Sequence, residues 1–170
     1  MMAEAHPKLA LRPMLPADAP LLAEIFRESI AGLTGDDYSE AQQEAWAATA
    51  DDESAFAKKL AGQLTLIATL GGSPIGFISL AGKDHIDMLY VHPAATGQGA
   101  GAMLVDAIEK LAAARGAAKL KVDASDNALE FFKKRGYVAQ QRSTVMRGGE
   151  WLANTSMEKP LTSANKGATQ

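Results

Sequence analysis

The stretch His85-Ile86-Asp87-Met88-Leu89-Tyr90-Val91-His92-Pro93-Ala94-Ala95-Thr96-Gly97-Gln98-Gly99-Ala100-Gly101 decides how the rest of the chain is read. His85–Val91 reads as a strand. Pro93 and the glycines at 97, 99 and 101 form a turn, and a long helix follows with Leu104, Ile108 and Leu111 on one face. Glycines at alternating positions let the backbone approach a ligand closely. A helix that opens near Gly99 presents unpaired N–H groups and a partial positive charge, an arrangement suited to a pyrophosphate. A bare glycine-rich turn is the plainer reading, but the strand before it and the amphipathic helix after it supply the context an anion site needs.

The organisation of the chain follows outward from this junction. Upstream, Gln63–Leu70 and Ile75–Leu80 alternate with period two, separated by Gly71-Gly72-Ser73-Pro74 and followed by Gly82-Lys83. With His85–Val91 they predict an antiparallel meander. Downstream, the long helix stops at Gly116 and Lys119–Asp123 reads as a strand, which makes a parallel crossover. Asp126–Arg135 reads as a helix stopped by Gly136, and Tyr137–Met146 with Trp151–Lys159 as a closing hairpin. At the start, Leu9–Met14 is a strand. A helix capped by Asp18 follows, with Pro20 in its first turn, and Gly32 and Gly35 end it. Tyr38–Leu60 predicts two short helices broken near Asp51–Ser54. The expectation is one α/β domain over 1–170, with its core at about 9–161 and loose tails at 1–8 and 162–170. Its architecture is a mixed six- to seven-stranded sheet flanked on both faces by about four helices.

Composition narrows the function. With Lys+Arg 17 and Asp+Glu 20, the net charge of −3 argues against a nucleic-acid footprint and against an anionic membrane surface. The chain has no cysteine, so it has no disulfide, no thiolate metal site and no cysteine nucleophile. No metal site is expected. No apolar run reaches the ~18 residues of a membrane span, and the first residues lack the apolar stretch of a signal peptide; a cytoplasmic protein is expected. The glycine loop carries no lysine, unlike a Walker loop. It follows three antiparallel strands, unlike a dinucleotide-binding loop, which follows an early strand of a parallel sheet.

The motifs Met88-Leu89-Tyr90-Val91-His92-Pro93, Gly97-Gln98-Gly99-Ala100-Gly101 and Ala128 through Phe131-Phe132-Lys133-Lys134-Arg135-Gly136-Tyr137 resemble those of the GCN5-related N-acetyltransferase (GNAT) superfamily. The resemblance runs over roughly 9–161 and is motif-specific from the middle of the chain to Tyr137. Thr96 stands where the family usually has Arg or Gln.

That resemblance implies acetyl-CoA as donor and an amine as acceptor, joined by direct attack in a ternary complex. The pyrophosphate would rest on the amides of Gly97, Gln98, Gly99, Ala100, Gly101 and Ala102, next to Thr96. The pantetheine would pair with the main chain around Leu89, Tyr90 and Val91 like an added strand. Ser125 stands where the family often has Asn, with Asn127 as a substitute, and Phe131, Phe132 and Lys134 lie near the cofactor. Adjacent helix positions cannot share a groove, so one of the two phenylalanines is expected in the core. An alkyl ammonium must lose a proton before it attacks. Period two puts residues 85, 87, 89 and 91 on one face, making His85 or Asp87 the base unless water serves; an ordinary polar strand start is the alternative. Asp87 could equally orient His85 or hold the amine.

The family's usual acid, a tyrosine, is replaced by Phe132; Tyr90 is expected to point away from the site and Tyr137 into the core, which leaves water or the acceptor's own proton to protonate the thiolate. Tyr38, Gln42 and Trp46, four apart, are candidates for the acceptor pocket, with plain packing the alternative for Trp46. Arg142, Arg147 and Trp151 would meet the substrate or a second subunit, and the final hairpin offers an edge for a homodimer. A domain that binds acyl-CoA without turnover, as a sensor or partner, is the competing expectation.

Overall fold

Alternating apolar residues build the sheet. In the computed structural model, which describes residues 8–162, β1 (Leu9–Pro13), β2 (Leu64–Leu70), β3 (Ser73–Ala81) and β4 (His85–Val91) pair antiparallel in that order. The glycine loop leads into α4 (Ala100–Ala114), whose crossover delivers β5 (Lys119–Ser125) parallel to β4. After α5 (Leu129–Lys134), β6 (Val138–Arg147) and β7 (Glu150–Pro160) form the closing hairpin. The seven-stranded order is β1-β2-β3-β4-β5-β7-β6, so the hairpin docks through its second strand and leaves β6 at the edge.

Each face of the sheet carries its own core. On one, α4 and α5 bury Leu104, Ile108 and Phe132 against Ile78, Leu80, Ile86 and Leu120. On the other, α1 (Ala19–Leu33), α2 (Glu40–Ala47) and α3 (Glu53–Ala61) cover Ile67, Phe77 and Met88 with Leu22, Ile25, Phe26, Ile30, Phe56 and Leu60. Each fully buried Leu or Ile contributes roughly 1.5–3 kcal/mol. None of the described helices is long and apolar enough to cross a membrane.

Several expectations need correction. The described residues form five α-helices, and α5 is shorter than the helix expected over Asp126–Arg135. Asp18 does not cap α1 with its side chain. Its carboxylate accepts from the Leu15 N–H at 2.7 Å and pairs with Arg12 at 2.8 and 2.9 Å, pinning β1 to the turn before α1. Gly32 lies inside α1, not beyond it, because the helix passes so close to the turn after β4 that a Cβ there would stand 2.6 Å from Pro93 Cγ. The expected tails, Lys8 and Thr162 apart, fall outside the described residues.

Tyr38 is not part of a helical face, since α2 begins at Glu40 behind a capping box built by Ser39 and Gln42. Its buried hydroxyl donates to Ala153 O (2.6 Å) and accepts from Asp126 N–H (2.9 Å), while Gln42 Nε2 donates to Trp151 O (2.7 Å). Together they latch the segment around α2 onto β7 and the turn after β5.

Removing the Tyr38 hydroxyl takes a partner from the half-buried Ala153 carbonyl and Asp126 amide. Tyr38→Phe is expected to cost about 1–3 kcal/mol in urea unfolding. The Arg12 hydrogen bonds hold the Asp18 carboxyl below its ordinary pKa, assisted by the Leu15 amide. Stability from that depression is present above the unfolded carboxylate pKa and is lost as pH falls through the folded one. Asp18→Asn should therefore lose about 1 kcal/mol at neutral pH, and the two proteins should converge in acid.

Candidate active site

One extra residue in β4 organises the site. Ser79 pairs with Met88 and Leu80 with Ile86, so Asp87 has no cross-strand partner and forms a β-bulge. A bulge inverts the alternation beyond it and adds twist. Ile86 therefore packs with Leu89 and Val91 in the α4-side core, while Met88 and Tyr90 pack on the opposite side. The expected common face of 85, 87, 89 and 91 does not exist, and Tyr90 does not point away from the polar side chains of β4. It lines one pocket with His85 and Asp87.

The strand also bends away from β5. The parallel ladder holds only at His85–Lys121 and Ile86–Val122. Beyond it lies a cleft of about 90 Å3 whose lining includes Leu89, Tyr90, Ser125, Asn127, Ala128 and Phe132. At the end of β4 the glycine loop turns into α4. Gly97 and Gly99 both have φ of +85°, a backbone state that side chains rarely adopt, and a Cβ at either would meet nothing within 4 Å. The first main-chain bond of the helix is Met103 N–H to Gly99 O at 3.0 Å. Among the described residues, the amides from Gly97 to Ala102 donate to no protein acceptor. Phe131 packs over Gly101, where a Cβ would meet its ring at 3.4 Å, and Arg135 stacks on its other flank at 5.7 Å. Phe132, 2% exposed, sits in the core, so the phenylalanines part as helical geometry requires. Thr96 is turned back to Pro93 O (3.0 Å), while Gln98 and Lys134 are exposed.

Adjoining this cleft, and sharing Asp87, Tyr90, Trp46 and Asp123 with it, a pocket of about 140 Å3 is lined further by His85 and Tyr38, with Arg147 and Asn154 from the closing hairpin. His85 Nε2 lies 3.5 Å from Asp123 Oδ2, and Ser156 Oγ donates to Asp123 Oδ1 at 2.8 Å. His85 is thus oriented by Asp123 rather than by Asp87. Asp87 instead faces Lys59 Nζ (3.3 Å) and Gln63 Nε2 (3.0 Å). Trp46 Nε1 donates to the Tyr90 hydroxyl at 3.2 Å, and the rings of Phe26, Phe77 and Trp46 surround it. Burial raises the Tyr90 phenol well above its usual pKa, so it stays protonated at neutral pH. Of the acceptor-side candidates, Trp46 and Tyr38 line the pocket, and Gln42 is spent on its cap and on β7. Arg142 is taken up by a two-pronged pair with Asp126 at 2.9 Å. Among the described residues no cluster of three His, Asp or Glu side chains is arranged around a metal.

Asp123 is the residue that sequence reading missed. The signal was present: Lys121 and Asp123 form the polar alternation of β5, on the strand parallel to the one that carries His85.

Comparison with known proteins agrees with this geometry. The family described as the acetyltransferase (GNAT) domain matches residues 34–161. The uncharacterized N-acetyltransferase YafP of Escherichia coli K12 is 32% identical over 149 residues, spanning 88% of this chain and 94% of that protein. A crystal structure from Rhodopseudomonas palustris, described as "GCN5-Related N-acetyltransferase: Aminotransferase, Class-II", is 65% identical with a TM-score of 0.89, covering 95% of this chain and 99% of that one. The fold is shared more distantly by the PaiA N-acetyltransferase of Thermoplasma acidophilum, solved with coenzyme A, at 22% identity and a TM-score of 0.74 over 90% of this chain and 99% of that one. Glycine loop, splayed strands and sequence relatives agree: the chain belongs to the GNAT acetyltransferase family.

Proposed function

We propose that this protein transfers the acetyl group of acetyl-CoA to a primary amine by direct attack within a ternary complex. The observation that carries this reading is the row of unpartnered amides from Gly97 to Ala102, at the head of α4 and beside the cleft that β4 and β5 open. Amides and helix dipole together suit a diphosphate. The unpaired stretch of β4 suits an extended amide-bearing arm. Ser125, Asn127 and the flank of Phe131 would border that arm and the nucleotide end.

In the adjoining pocket Asp123 brings negative charge where an ammonium would enter, while Asp87 is already paired with Lys59. His85, oriented by Asp123, takes the proton that the ammonium must lose; Asp87 and ordered water are the competing bases. The neutral nitrogen then attacks the thioester carbon, and a main-chain N–H of β4 near Leu89 or Tyr90 faces the developing oxyanion. No enzyme-bound acyl group is needed, in keeping with a chain that has no cysteine.

A domain that binds acyl-CoA without turnover is the second reading. It is favoured by one feature, the phenyl ring of Phe132 where the family resemblance implies a tyrosine acid, 2% exposed and unable to donate a proton. Calorimetric CoA binding with no thiol release for any amine would select it.

CoA at about 100 times its Kd should stabilise the fold by about 2.7 kcal/mol and raise Tm. Gly99→Asp, which forces a side chain onto a positive φ and sets a carboxylate at the anion site, should abolish the shift; an unchanged Kd would remove the glycine loop from the site. His85→Ala should lower kcat about 10²-fold while the Kd for CoA stays constant. A silent variant assigns the proton to Asp87 or to water.

A further inference from the structure

With Phe132 unable to protonate the departing thiolate, the three tyrosines of the chain are the side chains to test as the acid. Tyr38 is fully engaged, donating to Ala153 O and accepting from Asp126 N–H. Tyr137 is buried on the far face and donates to Glu109 Oε2 at 2.9 Å. Tyr90 differs from both. Its oxygen accepts from Trp46 Nε1 at 3.2 Å, and among the described residues its own O–H meets no protein acceptor. It is also the tyrosine that lines both the cleft between β4 and β5 and the pocket holding His85 and Asp123.

We propose that Tyr90 is the proton donor to the coenzyme thiolate, held in place by the Trp46 indole. This rests on the transferase reading above and adds the acid to it. The bulge at Asp87 makes it possible, because that extra residue turns Tyr90 onto the face of His85.

In the step, the nitrogen–carbon bond forms, the carbon–sulfur bond breaks and the electron pair stays on sulfur. Sulfur takes the Tyr90 proton and leaves as the free thiol. The acceptor ammonium gives up one proton through His85 before attack. A second, lost from nitrogen after attack, returns to the Tyr90 oxygen through water. Donor, acceptor and solvent supply every proton.

The test uses the full chain with hydroxylamine as nucleophile. It is largely neutral at pH 7, so thiol release reports mainly the departure of sulfur. Tyr90→Phe keeps the ring among Phe26, Phe77 and Trp46 and deletes only the hydroxyl. It should lower kcat with acetyl-CoA about 10²-fold, with the Kd for CoA unchanged. The deficit should shrink to within about threefold when the donor is the acetyl ester of an aryl thiol, whose thiolate leaves without protonation. Trp46→Phe, which removes the indole N–H, should show a smaller deficit with the same dependence on leaving group. Equal losses with both donors, or wild-type turnover in Tyr90→Phe, would overturn the assignment of Tyr90 alone. A wild-type protein that releases no thiol with hydroxylamine or with any amine of a panel would overturn the transferase reading together with it.

Discussion

The site depends on one inserted residue. Asp87 sits in β4 without a partner on β3, and its insertion has two effects. It inverts the faces of every later side chain in the strand, which puts Leu89 and Val91 into one core and Met88 and Tyr90 into the other. It also twists β4 so that pairing with β5 ends after Ile86. A regular strand here would close the sheet and bury the cleft under a continuous ladder. The same bulge therefore opens the cleft between β4 and β5 and turns the phenol of Tyr90 toward the pocket that holds His85.

The glycine loop complements this opening electrostatically. The chain has a net charge of −3, and no lysine lies in the loop, so attraction for an anion there comes from main-chain amides and the end of α4. Gly97 and Gly99 are required by their positive φ, and Gly32 by the close packing of α1 on Pro93, which fixes the turn that leads into the loop. The loop side of the site is thus built from backbone, whereas the adjoining pocket is built from side chains: His85, Asp87, Trp46, Tyr90 and Asp123.

That division explains what the sequence made legible. Glycine spacing reports backbone conformation directly, so the loop and the helix behind it could be read, and the turn glycines marked the meander. The phase of β4 could not be read, because nothing in His85-Ile86-Asp87-Met88 distinguishes a bulged residue from a paired one, and period-two reasoning carried past the insertion gives the wrong face. Neither was the docking of the closing hairpin legible, since either of its strands satisfies the local pattern; only packing against β5 selects β7. Of Tyr38, Gln42 and Trp46, the first and last line the pocket and Gln42 does not. Their spacing suggested a helical stripe, yet Tyr38 precedes the helix and Gln42 is a latch. Asp123 escaped notice because its partner His85 lies far away in sequence and close only across the parallel pair.

The latch made by Tyr38 and Gln42 has an evolutionary consequence. The coenzyme half of the cavity comes from β4, its loop and α4, while the opposite wall comes from α2, β7 and the hairpin bend at Arg147, tied together by two side-chain bonds to the carbonyls of Ala153 and Trp151. Those ties are made to main-chain atoms, whose positions are indifferent to the residue that carries them. Side chains along the outer wall can drift from one lineage to another while the wall keeps its place, and descendants of such a scaffold can reshape that wall without rebuilding the glycine loop and the splayed strands.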